Sequence, residues 1–279
     1  MTLATLSDVL RPALSGGYAV PGLVCLGWED MRAYALAARA ERAPVILQAG
    51  PSCREHTPLP VLGAMMRHLA GSVDVPVVVH LDHGRSRDEC REALDSGFTS
   101  LMFDGSREPL DENIAQTRRI ADMAHGAGVS CEGEIGLVGH SGGEASTVTD
   151  PREAARFARE TGVDAMAVSV GNVHLRQDRG AALDQDRIRA IEAVTDVPLV
   201  IHGGSGVPLA QRAALAAGSR ICKFNIGTEL RMAFGAALRA AVERDPARFD
   251  RARILEDTEA PVMTAARAVI RGLGAAGRA

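Results

Sequence analysis

Runs that are apolar at every position, not at alternate ones, punctuate this chain. The two clearest nearly repeat each other: Asp74-Val75-Pro76-Val77-Val78-Val79-His80-Leu81-Asp82-His83-Gly84 and Asp196-Val197-Pro198-Leu199-Val200-Ile201-His202-Gly203-Gly204-Ser205-Gly206. A strand apolar on both faces has to be covered on both, which is the condition of parallel sheets layered with helices. Each repeat opens on a turn-like Asp-Val-Pro and closes on histidine and glycine, so polar groups collect at the C-terminal tip. A third run, Asp164-Ala165-Met166-Ala167-Val168-Ser169-Val170-Gly171-Asn172-Val173-His174, also ends in a histidine.

Strands are predicted near Tyr18–Cys25, Pro44–Gln48, Val77–Leu81, Ser100–Phe103, Ser130–Glu134, Ala165–Val170, Leu199–His202 and Ile221–Phe224. Between them lie helix-like stretches such as Glu29–Arg42, Arg87–Ser96, Leu110–Ala127, Pro151–Thr161, Gln185–Val194 and Pro208–Ala217. Asp150-Pro151 marks one start, a capping side chain followed by a first-turn proline. Eight strand–helix units in 279 residues predict an α/β fold, a (β/α)8 TIM barrel in one domain over 1–279. A doubly wound open sheet is the alternative, since counting strands does not show closure. Aromatic residues make up only 3 %, so Val, Ile, Leu, Ala and Met must fill the core. The Gly/Ala/Arg-rich end, Gly272–Ala279, is expected to fray.

A net charge of −4 offers no electrostatic reason for nucleic acid or an anionic membrane as partner. No stretch approaches the roughly 20 apolar residues that span a bilayer, and Met1–Val20 lacks the pattern of a secretory leader. The five cysteines are scattered without C-x-x-C pairing, which argues against a disulfide framework or structural zinc. The expectation is a cytoplasmic protein.

Catalytic groups of barrels come from the C-terminal ends of strands, and His83, His174 and His202 fall there on three different strands. Three imidazoles with an open fourth position make a catalytic zinc site. His80, three residues before His83, is expected on the opposite face, as a packing or supporting group. His56, His68, His125 and His140 lie in predicted helices or loops, and most of them read as ordinary histidines. Asp82 is too polar to stand buried and alone: ligand, partner of a ligand and general base are all open to it. Glu132 and Glu134 point the same way along their strand. Their alternative role is pairing with a barrel cation, although Lys223 is the chain's one lysine.

His202-Gly203-Gly204-Ser205-Gly206 leaves a strand and precedes a helix, with glycines and a hydroxyl suited to cradle phosphate. Asn225-Ile226-Gly227-Thr228 follows the eighth predicted strand in the same way. Barrel enzymes often bind phosphate on the loops after their seventh and eighth strands.

With these come Met102-Phe103-Asp104-Gly105-Ser106, Asp111-Glu112-Asn113-Ile114, Glu132-Gly133-Glu134-Ile135-Gly136, Gly171-Asn172-Val173-His174 and Lys223-Phe224-Asn225-Ile226-Gly227-Thr228-Glu229-Leu230. Together the motifs resemble the class II, zinc-dependent fructose-bisphosphate and tagatose-bisphosphate aldolase family over nearly the whole chain. That resemblance implies a lyase of carbohydrate metabolism that splits a ketose phosphate into dihydroxyacetone phosphate and an aldehyde. His83, His174 and His202 would then hold Zn2+, and Asp82 would move the proton. Glu132 would stand near the metal, at an alternative metal position. Gly203, Gly204, Ser205, Asn225, Gly227 and Thr228 would grip the phosphate, and Glu144, in the glycine-rich Gly139–Ser146 segment, would handle the carbon proton. A Na+ or K+ ion near the phosphate and a homodimer or homotetramer are implied as well. Leu175 and Arg176 follow His174 where the family commonly has glycine, and Gly22-Leu23-Val24-Cys25 replaces an Ala-Phe-Asn-like segment; both are expected to alter the pocket walls. A barrel metallohydrolase and a non-catalytic aldolase-like subunit are the competing readings.

Overall fold

The structure, a computed structural model, describes residues 2–143 and 145–279. In chain order it runs β1 (Leu3–Ala4), α1 (Leu6–Gly16), β2 (Val20–Cys25), α2 (Trp28–Glu41), β3 (Val45–Ala49), α3 (Pro51–His56), α4 (Leu59–Gly71), β4 (Val77–Gly84), α5 (Arg87–Asp95), β5 (Ser100–Phe103) and α6 (Leu110–Gly126). It continues with β6 (Ser130–Ile135), α7 (Pro151–Thr161), β7 (Ala165–Val168), α8 (Gln185–Glu192), β8 (Leu199–Ile201), α9 (Leu209–Gly218), β9 (Ile221–Ile226), α10 (Thr228–Arg244) and α11 (Arg251–Gly272).

β2 to β9 pair in parallel, each with the next, and β9 pairs back onto β2. The sheet is therefore closed, the TIM barrel, and the open-sheet alternative falls. One continuous apolar core, rich in Val, Ile, Leu and Ala, runs between the barrel and its helices. The expected strands differ from those observed by one to three residues at their ends, the largest difference being β4, which runs on from Leu81 to Gly84. β1, too short to read as a strand, pairs with the start of β4. α1 begins in a capping box between Thr5 and Asp8. Its Ser7 bonds to Ser130 and Asp164 at the starts of β6 and β7, so this helix closes the N-terminal mouth. The opposite mouth is left to the polar strand tips.

The chain's end does not fray as expected. Leu273 and Ala275 are buried, and the N–H groups of Gly277 and Ala279 bond to the carbonyls of Glu41 and Arg42 at 2.8 and 2.9 Å. Those carbonyls end α2 and lack helical partners, so the tail satisfies groups that composition alone does not reveal. Arg267 and Arg271 of α11 also hold Glu41.

Candidate active site

β4, β6 and β9 are not neighbours in the sheet, so contacts among their side chains pass through the barrel. Midway down, Lys223 Nζ donates to Glu132 Oε2 at 2.6 Å and to His80 Nε2 at 3.2 Å, and His80 Nδ1 meets Ser100 Oγ at 2.8 Å. All four residues are wholly buried. Burial, then the Lys223 charge, drives the His80 pKa down to about 3, so this histidine is neutral. Burial would raise the pKa of Glu132, but Lys223 outweighs it and holds the carboxyl well below the usual range.

One layer nearer the open mouth, Glu132 Oε1 accepts from His202 Nε2 at 3.1 Å. With both oxygens bonded, Glu132 supports His202 and Lys223 from below the cavity and is not among its lining residues. Glu132 and Glu134 do point inward together, but at different depths. The strand-tip member, Glu134, is the one at the cavity. The pairing with a barrel cation falls to Glu132.

A cavity of about 450 Å³ opens above, lined by Asp82, His83, His174, Gly203, Ser205, Asn225, Gly227 and Thr228 among others. Most of the residues singled out from sequence thus line one cavity; His202 is buried behind its surface. Gly204 lies behind, where a Cβ would stand 3.0 Å from the Asn225 carbonyl. Glu144 lies outside the described residues.

The three histidine rings are mutually close, with centroids 4.7 Å apart for His83–His202, 5.3 Å for His83–His174 and 5.7 Å for His174–His202. One ligand atom from each falls within 4.8 Å of the others. His83 Nδ1 donates to Asp104 Oδ2 at 2.8 Å, which leaves Nε2 as its free lone pair. Glu132 does the same for His202 and leaves Nδ1 free. That Nδ1 lies 3.2 Å from Glu134 Oε2, yet among the described residues neither buried atom has a hydrogen-bond partner. Orphaned acceptors among imidazoles and carboxylates suit a divalent cation. In the metal-free protein a proton takes the place a cation would have at Nδ1: burial opposes a charge on His202, but Glu134 and then Glu132 push its pKa up to about 10. His83, Asp104 and Glu134 form a second cluster of the same compactness. Asp104 and Glu134 were not read as cavity groups from sequence, although both sit in motifs it displayed.

Asp82 is buried and accepts from Asn225 Nδ2 at 3.2 Å across the barrel. Burial would raise its pKa, but His83, His202 and Lys223 together hold it below the usual carboxylate range. His80 and Asp82 both face inward, so an unbroken strand would turn His83 outward. β4 breaks instead: its register with β5 shifts between Leu81 and Gly84, and His83 has φ 54°. This bulge defeats the expectation from the pleat. It brings His83 to the cavity while His80 lies below it.

In the glycine-rich loops, Gly203 has φ 64°, and a Cβ there would lie 2.3 Å from the Val173 carbonyl. Ser205 Oγ accepts from the N–H groups of Gly227 and Glu229 at 3.3 Å each, joining the two loops. Leu175 lines the cavity with φ 57°. Arg176 turns away to pair with Asp178.

A family profile described as fructose-bisphosphate aldolase class-II matches residues 4–278. The fructose-bisphosphate aldolase of Geobacillus stearothermophilus is 33 % identical over 289 residues, covering 100 % of this chain and 99 % of the relative. The 6-phospho-5-dehydro-2-deoxy-D-gluconate aldolase of Bacillus velezensis is 36 % identical, covering 100 % and 98 %. Among solved structures, the YdjI aldolase of Escherichia coli K12 superposes with a TM-score of 0.86 at 29 % identity, covering 99 % of each chain.

Proposed function

Since the chain belongs to the class-II fructose-bisphosphate aldolase family and is by that membership a carbon–carbon lyase, we propose that it reversibly cleaves a ketose 1-phosphate or ketose bisphosphate into dihydroxyacetone phosphate and an aldehyde, with zinc as its metal. The observation that carries this reading is the clustering of three strand-tip histidines beside a cavity that His83, His174 and Asp82 line together with residues of two glycine-rich loops.

His83, His174 and His202 would hold the ion. When bound, it supplies Lewis acidity that draws electrons from the ketose carbonyl. Asp82, kept as a carboxylate and oriented by Asn225, takes the proton of the C4 hydroxyl. The C3–C4 bond breaks, its electron pair moves toward the carbonyl oxygen, and the aldehyde leaves. The resulting enediolate takes a proton on carbon to become dihydroxyacetone phosphate, and Glu144 is our candidate to deliver it. Gly203, Gly204, Ser205, Asn225, Gly227 and Thr228 bind the phosphate, fixing the reacting carbons from a distance. A Na+ or K+ ion beside those loops belongs to the same proposal.

The Geobacillus and Bacillus relatives carry names for different substrates at 33 and 36 % identity, so similarity does not select the aldehyde. Leu175 on the cavity wall supports an aldehyde other than glyceraldehyde 3-phosphate.

The test is metal analysis followed by assay of dihydroxyacetone phosphate release over a panel of ketose phosphates. We expect about one catalytic zinc per chain and chelator-sensitive cleavage of at least one substrate. Cleavage that survives complete metal removal would sink the mechanism. A clear preference for fructose 1,6-bisphosphate would sink the altered aldehyde end.

A further inference from the structure

Asp82 and His83 are adjacent in sequence, yet both face the cavity, which a regular strand forbids. The left-handed backbone at His83 resolves this and is unfavourable for a residue with a Cβ. The bulge also takes backbone carbonyls out of the sheet ladder, and they need other donors.

One side chain supplies them. Arg54, in the short α3 beyond the β3 tip, is only 8 % exposed. Its Nη1 donates to the carbonyls of Ala49 and Asp82, each at 2.6 Å, and its Nη2 to the carbonyl of His83 at 3.0 Å. Its Nε donates to Glu89 Oε1 at 2.7 Å, and Glu89 Oε2 accepts the Arg85 N–H at 2.8 Å. The guanidinium and its carboxylate thus clasp the β4 tip from Asp82 to Arg85 and tie it to β3. A planar fork with several fixed donors can make these bonds together, whereas an ammonium cannot.

We propose that Arg54, anchored by Glu89, is a positioning residue. It holds His83 in its left-handed turn, so that the Asp82 carboxylate and the His83 imidazole stand on the same cavity wall. The kinetic part of this inference rests on the aldolase reading above; the metal-binding part does not.

The experiment compares the unaltered protein with Arg54→Ala, Arg54→Lys and Glu89→Gln. Zinc affinity is measured by competition with a chromogenic chelator, kcat and KM on the best ketose phosphate, and both again with guanidinium chloride at low millimolar concentration. Arg54→Ala should weaken zinc binding about 10- to 100-fold, as loss of a ligand's support does. It should lower kcat about 100-fold through misplacement of the base. KM should change by less than about 3-fold, because the phosphate loops belong to other strands. Added guanidinium should restore part of the zinc affinity and of kcat, and equal sodium chloride should not. Arg54→Lys should recover little, and Glu89→Gln should fall between.

Zinc affinity and kcat within about 2-fold of the unaltered protein would overturn the proposal. So would losses that guanidinium leaves untouched. If Arg54→Ala does not fold, Arg54→Lys decides by the same criteria. Should the unaltered protein bind zinc but cleave no ketose phosphate, the aldolase reading fails, and zinc affinity with its guanidinium rescue still decides for Arg54.

Discussion

The β4 and β8 segments begin alike and reach a histidine at the same place, His80 in one and His202 in the other. Both histidines touch the same buried ion pair, His80 through Lys223 and His202 through Glu132. From there they part. β8 stops at Ile201, so His202 follows directly at its tip, with Nδ1 3.2 Å from Oε2 of the cavity residue Glu134. β4 runs on to Gly84, which leaves His80 beneath the floor and delivers Asp82 and His83 at the rim through a bulge. What a repeated strand does is set by where it stops relative to the barrel's mouth.

The largest effects should come from the two rims. Asp82→Asn should keep zinc and lower kcat on the order of 10²–10⁴-fold, the range for loss of a general base. His202→Ala should lose the metal itself. Metal analysis beside steady-state kinetics separates the two, and full cleavage by Asp82→Asn would break the assignment.

Next comes the ion pair the two strands share. Glu132→Gln leaves the Lys223 charge buried without its counter-charge, and breaking such a pair costs roughly 3–5 kcal/mol. Urea unfolding should show it. The double change Glu132→Gln with Lys223→Met should recover part of the loss, because no unpaired charge remains.

The paired histidines should also respond to pH in opposite senses in metal-free protein. His80 has a folded pKa of about 3, against about 6.5 unfolded. The unfolded chain therefore takes up a proton that the folded one refuses, and stability falls as pH drops below about 6.5. His202, at about 10, is the reverse: its contribution is complete below about 6.5 and is lost as pH rises through 10. His80→Gln should flatten the acid limb of stability against pH and His202→Gln the alkaline limb. Identical limbs in both variants would show that the repeat positions are electrostatically equivalent after all.

Much of this was legible in the sequence, because strand identity and strand ends are local properties. The every-position apolar runs named the barrel, and His174 and His202 needed only the rule that barrel chemistry sits at C-terminal tips. His83 was found by the same rule, but its route there was not, since the pleat places it with Leu81 until a bulge intervenes. The different depths of Glu132 and Glu134 are not legible, because a shared face says nothing of depth. Arg54 left no signal at all. It is one arginine in a polar stretch, and its acceptors are backbone carbonyls up to 29 residues away. The packed tail is hidden for a similar reason: the carbonyls that hold it are those of Glu41 and Arg42, at the C-terminal end of α2.

The smallest effect concerns the residues that follow two of the histidines. Gly203 after His202 and Leu175 after His174 both take the left-handed conformation, at φ 64° and 57°. Gly203 has no choice, as a Cβ would strike the Val173 carbonyl at 2.3 Å. Leu175 is 51 % exposed and has room, so there the conformation costs only its intrinsic strain, about 1–2 kcal/mol for a residue with a Cβ. Leu175→Gly relieves that strain but frees the unfolded chain, which returns about 0.5–1 kcal/mol. The net gain should be about 1 kcal/mol or less, a small rise in Tm. A strained leucine with so little packing around it, on the cavity wall, is what the altered aldehyde end proposed above requires. Leu175→Gly should accordingly shift KM among aldehyde partners in the condensation direction while leaving KM for dihydroxyacetone phosphate nearly unchanged. If Tm rises and every KM stays the same, Leu175 is only a strained residue on a wall, and specificity must be sought elsewhere in the cavity.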